Sequence, residues 1–175
     1  MDILEILDRC TALEREAGVV YALLAERAGD DDALCGLWYG MAADEREHAR
    51  KLATWRALVA AEPAEHRPVA SGFADAVRAL EAVLGGARAR APRCETPDEA
   101  FAIALDLETS ELDDLFATLL QSSPIARYPD VAENLRYETG DHHGELVRMV
   151  RERSRDEHNL LRASLLVVHD SDAGA

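Results

Sequence analysis

The sequence is poor in aromatic residues and in the residue types that favour a sheet. Aromatics make up 5% of its 175 residues. Alanine, leucine, glutamate and arginine, all strong helix formers, are abundant instead, so we expect a mostly helical protein. The length suits one domain over residues 1–175 and is short for two domains of ordinary size.

Cysteine and positive charge are also scarce. Cys10, Cys35 and Cys94 are far apart and form no C-x-x-C pair, which argues against a disulfide framework and against a thiolate zinc site. The 34 acidic and 19 basic residues give a net charge of −15, which disfavours nucleic acid and anionic membranes as partners. Acids stand in "MDILEILDRC" where a secretory signal carries bases, and no apolar run reaches bilayer length. We therefore expect a soluble, cytoplasmic protein.

Helical periodicity divides the chain into two long hairpins joined by a crossover. The first hairpin, about residues 2–62, has one stripe on each side of Gly29: Ile3, Ile6, Leu7, Cys10, Leu13, Ala17, Val20, Tyr21 and Leu24 before it, then Leu34, Leu37, Trp38, Met41, Leu52, Trp55 and Val59. The crossover, about residues 63–96, contains a short helix, after which "ARARAPR" is typical of a solvated loop.

The second hairpin is expected over about residues 97–155, with a tail over about 156–175 that could add a last helix. Thr96, Pro97 and Glu99 are the cap, first-turn proline and capping-box acid of a long third helix that extends to about Leu119. Two antiparallel hairpins and a long crossover predict an all-α fold, a four-helix bundle of ferritin-like topology.

Polar residues interrupt the apolar face of every long helix. Glu14 lies in the first stripe, and Glu45 and His48 lie in the second. The third and fourth helices contribute a further set: Glu108, Glu111, Glu138 and His142. Each unpaired carboxylate in a core costs several kcal/mol. Two divalent cations would offset the five glutamates, and oxygen and nitrogen ligands suit iron, with manganese or zinc as substitutes.

The fourth-helix ligand has two candidates. Glu45 follows Glu14 by 31 residues and Glu138 follows Glu108 by 30, so the hairpins repeat one layout. That repeat puts Asp141 in the place of His48, whereas helical phase favours His142, which we prefer because an i, i+4 pair can also converge on one metal.

The chain resembles the rubrerythrin-like branch of the ferritin-like superfamily over about residues 2–153. The resemblance rests on Glu14 with Tyr21 seven residues later, "EREH" at 45–48 and "ETSE" at 108–111. It implies a di-iron centre held by Glu14, Glu45, His48, Glu108, Glu111, Glu138 and the fourth-helix ligand, with Glu14, Glu45, Glu108 and Glu138 as the catalytic carboxylates.

The function implied is reduction of peroxide or dioxygen. The cysteine-ligated iron module that rubrerythrins often carry is missing from the sequence, so electrons would come from a separate donor protein. A homodimer is expected, because the apolar tail residues need cover. Two alternatives are a ferroxidase or iron-storage subunit and a metal-free structural descendant.

Overall fold

The computed structural model describes residues 2–63, 73–110 and 143–172, with side chains to residue 166. Six helices lie in these ranges: α1 (Ile3–Arg27), α2 (Asp32–Ala61), α3 (Phe73–Arg90), α4 (Pro97–Glu108), α5 (residues 143–153) and α6 (Glu157–Asp172). A single 3-10 turn, Ala91–Arg93, follows α3. No strand occurs within the described ranges, and the predicted all-α class is confirmed for them.

Helices α1 and α2 form a tight antiparallel hairpin. Gly29 adopts a φ of 63° in the turn, a conformation that suits glycine, and the Asp31 side chain accepts the Leu34 amide at 3.1 Å to cap α2. Farther along, the Arg56 Nε donates to Asp8 Oδ1 at 2.9 Å. The two helices therefore run side by side over most of their length.

The predicted stripes of α1 and α2 form the core. Every residue predicted for those two stripes is buried, with Trp38, Trp55 and Tyr21 among the largest side chains that are fully enclosed. Asp2 occupies the N-cap position of α1, but its side chain makes no capping hydrogen bond. The packing of the first hairpin thus follows directly from its sequence pattern.

Burial of Cys10 makes stability depend on pH. Desolvation, reinforced by the charge of Glu81, raises the pKa of the Cys10 thiol from 9.0 to about 12. Above pH 9 the Cys10 thiol ionises in the unfolded protein but stays protonated in the folded protein. The free energy of unfolding is therefore unaffected by this thiol below pH 9 and decreases as the pH rises above it. We expect Cys10→Ala to remove up to about 1.4 kcal/mol per pH unit of this loss, measured by urea unfolding with reductant between pH 8 and 10.5. The partly exposed Cys35→Ala is the control, and equal slopes in both variants would contradict the assignment.

Helix α3 is longer than the sequence predicts. The segment "ARARAPR" is not a solvated loop, because α3 continues to Arg90 and is followed by a 3-10 turn. Ala87 and Ala91 are fully buried and extend the apolar stripe across the two glycines before them. Ion pairs from Arg88 to Glu16 and from Arg90 to Asp106 fix the outer side.

Helix α4 begins as predicted and ends early. Thr96 and Glu99 form the predicted capping box, which is confirmed. The helix ends at Glu108, with Thr109 as its C-cap, and the residues from 111 to the predicted end near Leu119 lie outside the described residues. The Thr109 hydroxyl donates to the Leu105 carbonyl at 2.6 Å and the Ser110 hydroxyl donates to the Leu107 carbonyl, so these side chains compete with continued backbone bonding.

Helices α4 and α5 are also antiparallel. Ser154, just after α5, donates to Asp98 at the start of α4 at 2.6 Å, whereas Glu108, the last residue of α4, contacts His143, the first described residue of α5. Asn159 of α6 donates to the Asp98 carbonyl at 2.9 Å. None of the described helices has an apolar stretch that would span a bilayer.

Gly18 brings α1 and α2 close together beside Glu45. A Cβ at Gly18 would lie 3.3 Å from the Ala42 carbonyl oxygen and 3.5 Å from Glu45 Cβ, whereas a Cβ at Gly40 would meet nothing within 4 Å. We therefore expect Gly40→Ala to stabilise the protein by about 1 kcal/mol through helix propensity. Gly18→Ala should instead destabilise it by about 1 kcal/mol through overpacking. Urea unfolding of both variants tests this, and equal gains would refute the close approach.

Candidate metal centre

The first part of the site comes from the hairpin of α1 and α2. Glu14, Glu45 and His48 are buried at 3%, 6% and 7% exposure. One ligand atom from each lies within 4.8 Å of the others, and His48 Nδ1 is 3.3 Å from Glu45 Oε2. We call these three residues the Glu14 cluster. Their i, i+3 spacing on α2 places Glu45 and His48 on the same face, opposite Glu14.

The second part is formed by α4 and α5. His143 Nε2 lies 2.7 Å from Glu108 Oε2, and the two side chains are 6% and 8% exposed. The Tyr21 hydroxyl of α1 donates a hydrogen bond to the other oxygen, Glu108 Oε1. We call Glu108 and His143 the Glu108 pair. Its carboxylate is held from two sides, by an imidazole and by a phenol.

Tyr21 connects the two parts electrostatically. Burial raises the pKa of the Tyr21 phenol well above its usual value, and the charges of Glu108, Glu45 and Glu14 raise it further. The phenol is therefore neutral at physiological pH and acts as a hydrogen-bond donor. Because Tyr21 feels the charge of all three carboxylates, the Glu14 cluster and the Glu108 pair share one electrostatic environment.

Aromatic side chains enclose the Tyr21 side of the site. Trp38 stacks on Tyr21, with ring centroids 6.2 Å apart and an angle of 9° between the ring planes. Trp38 also contacts Phe101, with ring centroids 5.8 Å apart. Trp38 and Phe101 are both almost completely buried. This stack excludes water from the phenol and fixes its ring, which strengthens the hydrogen bond to Glu108.

The sequence-predicted ligands fall into two groups. Four of them lie within the described residues, and their side chains are buried between the helices: Glu14, Glu45, His48 and Glu108. Glu111, Glu138, Asp141 and His142 lie outside the described residues. Tyr21, seven residues after Glu14 in the sequence, donates its hydrogen bond to Glu108.

His143 is the site residue that sequence reasoning missed. It is 4% exposed and lies three, four and seven residues before Leu146, Val147 and Val150, all of which are buried. Those spacings define one helix face, and they are the signal that could have identified it. Residue 140 is glycine, so His143 has no Glu-x-x-His partner on its own helix and its carboxylate comes from α4.

The Glu14 cluster is a group of side chains that could hold a metal ion. Adjacent ligands of one cation with bonds of about 2.1 Å lie about 3.0–3.4 Å apart. The 3.3 Å between His48 Nδ1 and Glu45 Oε2 falls in that range, whereas the 2.7 Å between His143 Nε2 and Glu108 Oε2 is a hydrogen-bond distance. Carboxylate oxygen and imidazole nitrogen together suit iron, manganese or zinc. Buried carboxylates without a cation would cost several kcal/mol each unless fully compensated.

Comparison with known proteins gives no relative: no protein-family model, curated protein or solved structure matches this chain.

Proposed function

We propose that this chain is a rubrerythrin-like di-iron oxidoreductase that reduces peroxide or dioxygen. The observation that carries the proposal is the buried Glu14 cluster, together with Tyr21, which donates a hydrogen bond to Glu108 and whose pKa is raised by the charges of Glu14 and Glu45. A core that only stabilises the fold would not be expected to contain so many carboxylates and imidazoles, because the desolvation cost of each buried group must be offset by a partner. In this proposal α1, α2, α4 and the helix that includes α5 are the four helices of a ferritin-like bundle.

Each described side chain has a definite task in this proposal. Glu14, Glu45 and Glu108 supply negative charge and oxygen ligands, and His48 and His143 supply neutral nitrogen ligands. Tyr21 orients Glu108 by donating a hydrogen bond to Oε1. The bound irons would supply the electrons that reduce the O–O bond. The surrounding apolar side chains keep bulk water away from the reacting oxygens.

The partners of the reaction follow from the same proposal. Peroxide or dioxygen is the substrate, and a separate protein returns electrons to the irons. The chain works as a homodimer in the cytoplasm. The proposed reaction involves no nucleic acid and no membrane as a partner, in keeping with the net charge of −15.

Metal analysis and turnover test the proposal together. Protein made in iron-supplemented medium should carry about two irons per chain and consume peroxide rapidly with an added reductant. Glu45→Ala should lose both properties, whereas Glu47→Ala, on the outer side of the same helix and ion-paired with Arg50, should keep them. Oxygen consumption with ferric accumulation in a large shell would favour iron storage instead. Less than one metal per chain, unchanged in Glu45→Ala, would refute a dimetal site.

A further inference from the structure

Trp38 and Tyr21 are two easily oxidised side chains in direct ring contact. Their planes are 9° apart and their centroids 6.2 Å apart, a separation at which stacked aromatic rings touch. Trp38 is 1% exposed and Tyr21 is 0% exposed, so both rings are shielded from bulk water. Indole and phenol are, apart from the sulfur-containing groups, the side chains that lose a single electron most readily. The pair therefore has the contact that electron transfer between two side chains requires.

The phenol of Tyr21 also has a proton acceptor in place. Its hydroxyl donates a hydrogen bond to Glu108 Oε1. A phenol that loses an electron becomes a very strong acid, so its proton has to leave together with the electron. Burial, reinforced by the charges of the neighbouring carboxylates, raises the pKa of the Tyr21 phenol, so the proton is still on the phenol at neutral pH. Glu108 is within hydrogen-bond reach to receive it.

The ring contacts of Trp38 give electron transfer a direction. Its second ring contact within the described residues is Phe101, at a centroid distance of 5.8 Å and an interplanar angle of 56°. A phenyl ring is far harder to oxidise than an indole, so an oxidised Trp38 cannot take an electron from Phe101. A phenol that can release its proton is slightly easier to oxidise than an indole at neutral pH. An oxidised Trp38 therefore takes its electron from Tyr21.

We propose that Trp38 and Tyr21 are a redox-active pair that carries an oxidising equivalent from the indole to a tyrosyl radical hydrogen-bonded to Glu108. A one-electron oxidant of the radical class, such as the carbonate radical, takes an electron from Trp38 and is reduced to carbonate. The indole cation radical then takes an electron from Tyr21, whose proton moves to Glu108 Oε1. The products are a restored indole, a neutral tyrosyl radical and a neutral carboxylic acid. The transfer thus removes one positive and one negative charge from the core, where each is costly to hold.

Two tyrosines beside Trp38 provide matched variants in a background with one tryptophan. Trp55, the other tryptophan of the chain, is replaced in Trp55→Phe. In metal-free Trp55→Phe protein an ultraviolet laser flash ejects an electron from Trp38, and dissolved nitrate captures that electron. The visible absorption of the tryptophanyl radical should decay while the absorption of a tyrosyl radical rises at the same rate. The rate should not depend on protein concentration, because the transfer takes place within one chain.

Substitution of each tyrosine identifies the electron donor. Adding Tyr21→Phe should abolish the matched tyrosyl rise, whereas Tyr39→Phe, at the position next to Trp38 and 55% exposed, should keep it. Glu108→Gln keeps an oxygen that accepts the hydrogen bond but cannot take the proton, so it should slow the rise. A support that only orients the phenol would leave that rate unchanged.

The outcomes separate this proposal from the proposed function. A rise that survives Tyr21→Phe, or that Tyr39→Phe abolishes, overturns the redox pair, and an unchanged rate in Glu108→Gln overturns the assignment of the proton. If circular dichroism shows that Trp55→Phe is unfolded, the same variants are compared with Trp55 in place. No metal is bound in any of these measurements. A matched rise would therefore stand even if metal analysis refuted a dimetal site, and its absence would leave that site untouched.

Discussion

Saturating the metal-free protein with Mn²⁺, or with Fe²⁺ under anaerobic conditions, should raise its melting temperature by at least about 5 °C. A ligand at 100 times its dissociation constant stabilises the folded state by about 2.7 kcal/mol, and each kcal/mol corresponds to about 2–4 °C in a domain of this size. The effect is large because Glu14 and Glu45 are buried at 3% and 6% exposure, where a cation offsets their charge without competition from water.

Glu45→Gln tests whether the stabilisation arises at this site. The change keeps the shape of the side chain and removes its charge, so the metal-free variant should be at least as stable as the wild type and should show no metal-induced shift. Glu47→Gln is the matched control, since Glu47 lies two residues away with its side chain 41% exposed and pairs with Arg50. Its metal-induced shift should equal that of the wild type. A Glu45→Gln variant that still gains 5 °C would place the metal elsewhere. Differential scanning calorimetry with and without metal provides the measurement.

The local parts of this fold could be predicted from sequence because their causes are local. The stripes of α1 and α2 follow a 3.6-residue period without interruption, and the Thr96–Glu99 capping box depends only on residues three apart. The same pattern made Glu14, Glu45 and His48 recognisable, since each interrupts an otherwise apolar face.

The errors came from competing local signals. Gly85 and Gly86 resemble a helix end, but burial of Ala87 and Ala91 outweighs a glycine penalty of about 1 kcal/mol each and α3 continues. At the end of α4 the apolar stripe continues in the sequence, yet the hydroxyls of Thr109 and Ser110 bond back to the helix and it stops.

The hydrogen bond between Tyr21 and Glu108 could not be predicted from local sequence patterns. Tyr21 and Glu108 are 87 residues apart, so no window of sequence contains both, and only the tertiary packing of α1 on α4 joins them. His142, the predicted fourth-helix ligand, lies outside the described residues, and spacing from Leu146 alone allows either histidine on the buried face. Val147 and Val150 are needed to define the face that includes His143.

Trp38→Ala should strongly destabilise the described core, because it removes the ring that contacts both Tyr21 and Phe101. Large-to-small changes of a buried aromatic cost about 3–5 kcal/mol through lost contacts and the remaining cavity. Trp38 is 1% exposed and contacts both rings, at centroid distances of 6.2 Å and 5.8 Å, so little collapse of the cavity is expected.

The same substitution should also weaken the site. Without the stacked indole, Tyr21 loses the surface that fixes its ring, and its hydroxyl no longer orients Glu108 as firmly. Trp38→Phe keeps an aromatic ring there and should recover part of both the stability and the metal-induced shift in melting temperature. Tyr39→Ala, at the neighbouring position and 55% exposed, should change stability by no more than about 0.5 kcal/mol. Urea unfolding followed by circular dichroism measures all three variants, and equal losses in Trp38→Ala and Tyr39→Ala would mean that the stack does not support the core.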